Sequence, residues 1–138
     1  SPDVRVKIFE KAPGIEQAEV LVVYVIPPDE EDPSLLRRLA GDILKAVGYD
    51  TELADFLELS TSRFTLRDIR TKPYRYILSF GANPLRLGLQ IDLMLYQPFT
   101  LNDTTYVWSH GLHKLKTDKN RKRKLWMALK QVFNTEEQ

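Results

Sequence analysis

The sequence predicts a single α/β domain with three layers, α/β/α, built on a short and mostly parallel central sheet. Three runs of apolar, strand-forming residues occur at 19–26, 74–80 and 104–108, and segments with helical periodicity lie between and after them. Strands that alternate with helices are typical of βαβ units, in which helices cover both faces of a parallel sheet. The 138 residues are the size of one ordinary domain, so we expect one domain spanning residues 1–138 without a linker.

The composition excludes several classes of site. The chain has no cysteine, which rules out thiol catalysis, iron–sulfur clusters and cysteine zinc sites, and we expect no cofactor. No apolar run approaches the ~20 residues of a membrane span. Ser1-Pro2-Asp3 does not begin a signal peptide, so we expect a cytoplasmic protein with no membrane partner. Because the chain lacks an initiator Met, we interpret Ser1 as an internal residue or a cloning remnant.

The first elements are an edge segment and a central strand. Residues 1–17 form the predicted N-terminal edge segment, because apolar and charged residues alternate within 4–8 as they do in a half-buried strand. Residues 19–26 are continuously apolar, which is typical of a central strand covered on both faces. Pro27 and Pro28 end it, since proline cannot donate to a sheet ladder.

The acidic run at 29–32 has a local explanation. Asp32 is a good helix N-cap, Pro33 suits the first helical position, and carboxylates offset the partial positive charge of a helix N-terminus. We therefore prefer capping to a metal or acid–base role for this run. The helix is predicted to reach about Val47 and to stop at Gly48. Its predicted inward face consists of Leu36, Leu39, Ile43 and Val47.

The middle of the chain is less uniform. Residues 51–59 fit either a short helix or a short strand. One helical turn is predicted around Leu66 and Ile69, and a further helix around 85–89. The segment 99–108, with Asn102-Asp103 at its centre, fits either a β-hairpin or a short lead-in to the last strand.

The stretch 104–133 carries the strongest functional signal. A strand ends at a polar turn, a basic run follows, and a helix places Leu125, Leu129, Val132 and Phe133 on one face. We expect Tyr106, Trp126 and Trp108 in the core, with base stacking as an alternative for Trp108. The tail 134–138 is predicted to be frayed. The predicted binding residues are His110, Lys114, Lys116, Lys119, Arg121, Lys122, Arg123 and Lys124.

Two interpretations of the basic run stay open. Cations oppose the dipole at a helix N-terminus, and a phosphate backbone or another acidic partner would reverse that penalty. A solvated loop that keeps the protein soluble explains the same charges. His110 and His113 have no nearby carboxylate and predict no metal site. Ser109 and His110 are adjacent and do not form a catalytic pair, so we interpret His110 as structural or as a phosphate contact.

The order of these motifs resembles the psi subunit of the bacterial DNA polymerase III clamp loader. The resemblance runs through EVLVVYV, LLRRLAGDILKAVGY and DTELADFLELST, and then through WSHGLHKL and RKRKLWMALKQVF. In that family, too, the last strand passes through a short turn containing serine to a helix with an Arg/Lys–Leu–Trp core. The resemblance implies a non-enzymatic adaptor that binds clamp-loader or other replication proteins.

The psi family resembles uracil-DNA glycosylases in fold, which implies a glycosylase-like fold and an enzyme as the alternative function. Those enzymes place a water-activating Asp or Asn after the first strand and a His after the last. Here Asp29 follows Pro27-Pro28, and Trp108 stands where that His belongs, two residues before His110. The catalytic residues are therefore expected to be missing, and only Asp29 and His110 could carry such an activity. A module that binds nucleic acid through 114–124 is the third hypothesis.

Overall fold

The computed structural model describes residues 18–60, 74–82 and 93–133. These residues form five strands and three α-helices. The strands are β1 (Val20–Val25), β2 (Ala54–Leu59), β3 (Tyr76–Phe80), β4 (Phe99–Leu101) and β5 (Thr104–Ser109). The helices are α1 (Pro33–Ala46), α2 (Leu112–Leu115) and α3 (Lys119–Phe133), and a 3₁₀ turn at Thr51–Leu53 precedes β2.

The strands form one sheet in the order β2-β1-β3-β5-β4. The first four are parallel, with Val22 opposite Phe56 and Leu78, and Leu78 opposite Val107. β4 pairs antiparallel with β5 at the edge. The structure therefore confirms the predicted α/β class with a mostly parallel sheet.

Both faces of the sheet are covered. Val20, Val22 and Tyr24 of β1 are buried in a cluster with residues of all three described helices. The alternate residues of β1, from Leu21 to Val25, are buried in a second cluster on the opposite face. Because successive side chains of a strand point to opposite faces, this burial makes β1 a central strand, as its uninterrupted apolar sequence predicts.

Helix α1 begins and ends as predicted. The Asp32 carboxylate accepts a hydrogen bond from the backbone N–H of Leu35 at 3.2 Å, and Gly48 follows the helix with φ +79°. The predicted inward face needs correction. Leu36 and Val47 are buried, but Ala40 and Leu44 are the other core residues, whereas Leu39 and Ile43 are only partly buried. Leu39 and Ile43 instead line an open groove between α1 and α3.

The remaining predictions have mixed outcomes. Residues 51–59, for which a short helix and a short strand were both open, form a 3₁₀ turn followed by strand β2. Of the two alternatives for 99–108 the structure has the hairpin, and Asn102 and Asp103 carry the positive φ angles, +51° and +67°, that a tight hairpin turn requires. The expectations for 1–17, for the two helical segments at Leu66–Ile69 and 85–89, and for the tail at 134–138 concern residues outside the described ones.

Strand β2 places one buried carboxylate on each face of the sheet. The Tyr24 hydroxyl donates to Glu58 at 2.9 Å, and Arg37 donates two further hydrogen bonds to the same carboxylate at 2.7 and 3.1 Å. On the other face the Tyr74 hydroxyl donates to Asp55 at 2.6 Å. Burial and the adjacent carboxylate raise the pKa of both tyrosine hydroxyls. Both carboxylates therefore have hydrogen-bond donors, which a buried charge requires.

Two glycines bring the carboxyl ends of β3 and β5 into close contact. The Gly81 N–H donates to the Ser109 carbonyl oxygen at 2.9 Å, and Gly81 has φ +86°. A Cβ atom at Gly81 would lie 3.0 Å from the Cα atom of Gly111. Residues with a side chain rarely adopt this dihedral angle, and a Cβ atom at this distance would force the backbone of Gly111 to move.

We expect Gly81→Ala to lower the free energy of unfolding by more than about 1 kcal/mol, because alanine adds both strain and a backbone clash. Gly41→Ala is the matched control. Gly41 lies within α1, and a Cβ atom added there would meet no other atom within 4 Å, so alanine should stabilise the protein by about 0.5–1 kcal/mol. Urea unfolding of both variants measures the difference. Equal stabilities would contradict the proposed constraint at Gly81.

Candidate functional site

The basic run is divided between two helices: Lys114 and Lys116 lie at α2, and residues 119–124 form the first turns of α3, as the helix N-terminus interpretation expects. After β5 the chain turns through the short helix α2, and α3 begins at Lys119. The Asp118 carboxylate accepts a hydrogen bond from the backbone N–H of Arg121 at 3.1 Å, so it caps α3 in the manner of an N-cap residue. This single carboxylate offsets part of the unfavourable contact between the cations and the helix dipole.

The eight predicted binding residues do not form one continuous site. Lys116 donates to Glu30 at 3.2 Å, which ties the end of α2 to the loop after β1, and Arg121 pairs with Asp118 at 3.4 Å. The other five cations are exposed, and no carboxylate of the described residues lies within salt-bridge distance of them. They are Lys114, Lys119, Lys122, Arg123 and Lys124.

Helix α3 separates the exposed cations onto two sides. Leu125, Ala128 and Leu129 are buried and fix which face of α3 meets the sheet. Lys122 lies on the side that faces α1, whereas Lys124 lies on the side that faces residues 95–97. A cavity lies on each side, and the two differ in chemistry.

The first cavity is the α1–α3 groove, of about 250 Å³. Its walls are apolar except for the Lys122 side chain. They consist of Leu39, Ile43, Ala46, Leu115, Lys122, Leu125, Trp126 and Leu129. The predicted core position of Trp126 is wrong, because 38% of the residue is exposed at the groove. Leu39 and Ile43 are partly exposed because they line the same groove.

The second cavity is the Tyr96–His110 pocket, of about 410 Å³. It is lined by Leu95, Tyr96, Gln97, His110, Lys124, Met127, Ala128 and Gln131. Two of these residues, His110 and Lys124, were predicted from the sequence. Tyr96, Gln97 and Gln131 were missed, since nothing in their local sequence indicates that they meet His110.

Tyr96 holds the His110 ring in one orientation. The Tyr96 hydroxyl lies 2.7 Å from His110 Nδ1, and its oxygen also accepts a hydrogen bond from the backbone N–H of His110 at 3.3 Å. The tautomer of the neutral ring sets which of the two groups donates in the shorter contact. Tyr96 itself has φ +63°, which is uncommon for a residue other than glycine, and its N–H donates to the Trp108 carbonyl oxygen at 2.8 Å.

The surroundings of His110 are electropositive. Burial lowers the pKa of His110, and Arg121, Lys114 and Lys124 lower it further, whereas among the described residues Asp118 acts in the opposite direction. The imidazole is therefore held neutral at pH 7, and the positive charge comes from the lysines and the arginine.

His113 has a different environment. Its ring packs against Gly111, where a Cβ atom would lie 2.8 Å from Nδ1. That nitrogen is buried and has no hydrogen-bond partner among the described residues.

Within residues 18–60, 74–82 and 93–133, no group of three or more His, Cys, Asp or Glu side chains could hold a metal ion. No helix in the described part of the chain is long and apolar enough to cross a membrane.

The two residues named for a glycosylase-like activity follow different strands. Asp29 is exposed in the turn after β1, and His110 is partly buried after β5. β3 lies between those strands in the sheet.

Of the two aromatic residues of β5, Tyr106 is buried as predicted, and Trp108 is partly buried against the second core cluster.

The comparisons with known proteins identify no family. No family model matches the chain, and the search of curated proteins gives no match. The resemblance to the psi subunit therefore depends only on the motifs quoted from the sequence.

We expect His110 to titrate below the usual histidine pKa of about 6.5, and Lys114→Gln combined with Lys124→Gln should raise its pKa. Two-dimensional NMR can follow both imidazoles, and His110→Gln assigns the signals. Because the folded state disfavours the protonated ring, stability should fall as the pH drops through about 6.5 and level off below the folded-state pKa. A His110 pKa above the usual value would contradict this electrostatic description.

Proposed function

We propose that the chain is a non-enzymatic adaptor in bacterial DNA replication, which binds a clamp-loader protein through the α1–α3 groove. The observation that carries the proposal is the exposed Trp126 beside an apolar groove. Tryptophan is enriched among the residues that dominate binding energy at protein interfaces. Leaving such a ring exposed at a groove is costly in water, and a partner side chain in the groove would remove that cost.

The chemistry of the partner follows from the rim of the groove. The sequence of α3, KNRKRKLWMALKQVF, contains no carboxylate, and Lys122 and Arg123 are exposed beside Trp126. A complementary surface would carry apolar side chains for the groove and acidic side chains for this rim. The groove has one cation among otherwise apolar walls, whereas a nucleic-acid strand would present several phosphates, so we favour a protein segment.

The resemblance to the psi subunit supports the same choice of partner. In that family the function is adaptor binding within the clamp loader, and the Arg/Lys–Leu–Trp motif at Lys124-Leu125-Trp126 is part of the resemblance. In this chain that motif places Leu125 in the core and Trp126 in the groove. The proposed adaptor acts in the cytoplasm, where bacterial replication takes place.

We expect Trp126→Ala to weaken binding to a clamp-loader subunit by roughly 10- to 100-fold, as truncation of a central tryptophan does at other interfaces. Isothermal titration calorimetry with purified clamp-loader subunits of the same bacterium measures this change. Met94→Ala is the matched control, because Met94 is a large exposed apolar residue, 58% exposed, that does not line the groove. Its affinity should stay within about twofold of the unaltered chain.

Two outcomes would contradict the proposal. If no clamp-loader subunit binds the unaltered chain, the adaptor function is wrong. If Trp126→Ala and Met94→Ala have equal effects, the function can stand but the groove is not the interface. Lys122→Glu separates the charge contribution, because it should weaken binding while making the remaining affinity less sensitive to salt.

A further inference from the structure

We propose that the Tyr96–His110 pocket binds one nucleotide of a single-stranded nucleic acid, with a phosphate against Lys124 and His110 and the base against Leu95 and Met127. This site is separate from the α1–α3 groove and lies on the other side of α3. It does not depend on the adaptor function proposed above.

The donors in the pocket suit a phosphate. Tyr96 contacts Nδ1 of the His110 ring at 2.7 Å, so Nε2 is the ring nitrogen left for a ligand, and Lys124 lines the same pocket. Lys114 and Arg121 act on His110 electrostatically from close by. Arg121 is partly neutralised by Asp118 at 3.4 Å, whereas Lys114 and Lys124 are exposed. A neutral imidazole N–H beside lysines is a donor set that favours an anion.

The other lining residues suit a base. Leu95, Met127 and Ala128 supply an apolar surface, and 56% of Met127 is exposed. A flexible, polarisable methionine makes favourable contacts with aromatic rings. Gln97 and Gln131 each offer an amide N–H₂ and a carbonyl oxygen, which complement the donors and acceptors on the edge of an unpaired base.

The size and charge of the pocket favour a single strand. A volume of about 410 Å³ falls in the usual range for small-ligand pockets and accommodates one nucleotide, whereas a duplex keeps its bases stacked and out of reach. Lys124 lines the pocket, and Lys114 and Arg121 also act electrostatically on His110. A strand presents a phosphate on both sides of each nucleotide, so it satisfies several cations at once.

Fluorescence anisotropy with a short labelled single-stranded oligodeoxynucleotide tests the proposal at two salt concentrations. We expect Lys124→Gln to weaken binding by about tenfold or more, because it removes a cation that contacts the bound phosphate. Lys119→Gln is the matched control, since it makes the same change of charge on an exposed position of the same helix that lines neither cavity. It should weaken binding by only about twofold.

A second pair of measurements tests the base contact. Met127→Ala should weaken binding of the oligonucleotide but leave binding of inorganic phosphate unchanged. Trp126→Ala should leave oligonucleotide binding unchanged, which separates this proposal from the adaptor function. A loss of clamp-loader binding in Trp126→Ala therefore has no bearing on the nucleotide site.

Several results would overturn the proposal. Equal losses for Lys124→Gln and Lys119→Gln would mean that the cations attract nucleic acid diffusely and that the pocket is not used. Duplex DNA that binds as tightly as the single strand would exclude an unpaired base as the ligand. A mononucleotide that binds as tightly as the strand would assign the pocket to free nucleotides. Absence of binding at low salt would exclude the site altogether.

Discussion

The close approach of Gly81 to Gly111 is the constraint on which the position of the last helices depends. With only 3.0 Å between the Cα atom of Gly111 and the point where a Cβ atom would lie on Gly81, β3 and β5 end side by side. The chain then enters α2 directly from β5. Leu112 and Leu115 of α2 are buried, and they set where α3 starts. The positions of both candidate binding surfaces therefore depend on these two glycines.

Helix α3 serves two surfaces because only a narrow stripe of it is needed for folding. Leu125, Ala128 and Leu129 are buried, and the helical repeat places their neighbours in sequence on opposite sides. Trp126 therefore faces the apolar groove, and Met127 faces the polar pocket. One rigid helix could present a protein partner and a nucleic-acid strand at the same time, as an adaptor between the two would require.

The sequence predicted the elements whose signals are local. The uninterrupted apolar residues of β1, the Asp32 cap and the Asn102-Asp103 turn each determine their own conformation, and the structure confirms them. The sequence could not predict which cations share a cavity, because that depends on where α3 lies relative to α1 and residues 95–97. The sequence predicts Trp126 in the core because an apolar residue next to Leu125 fits a buried helix face. Which face of α3 is buried depends on how the helix packs, which the sequence alone does not show.

The two carboxylates of β2 have a consequence for how the sheet aligns. Asp55 and Glu58 point to opposite faces, and each meets a tyrosine hydroxyl there. If β2 slid by one residue along β1, every side chain would change face, and both charges would enter apolar layers without their donors. An apolar strand such as β1 has no comparable preference between neighbouring registers. The two carboxylates of β2 therefore fix its register against β1. A shifted pairing is disfavoured because it would bury both charges away from their hydrogen-bond donors.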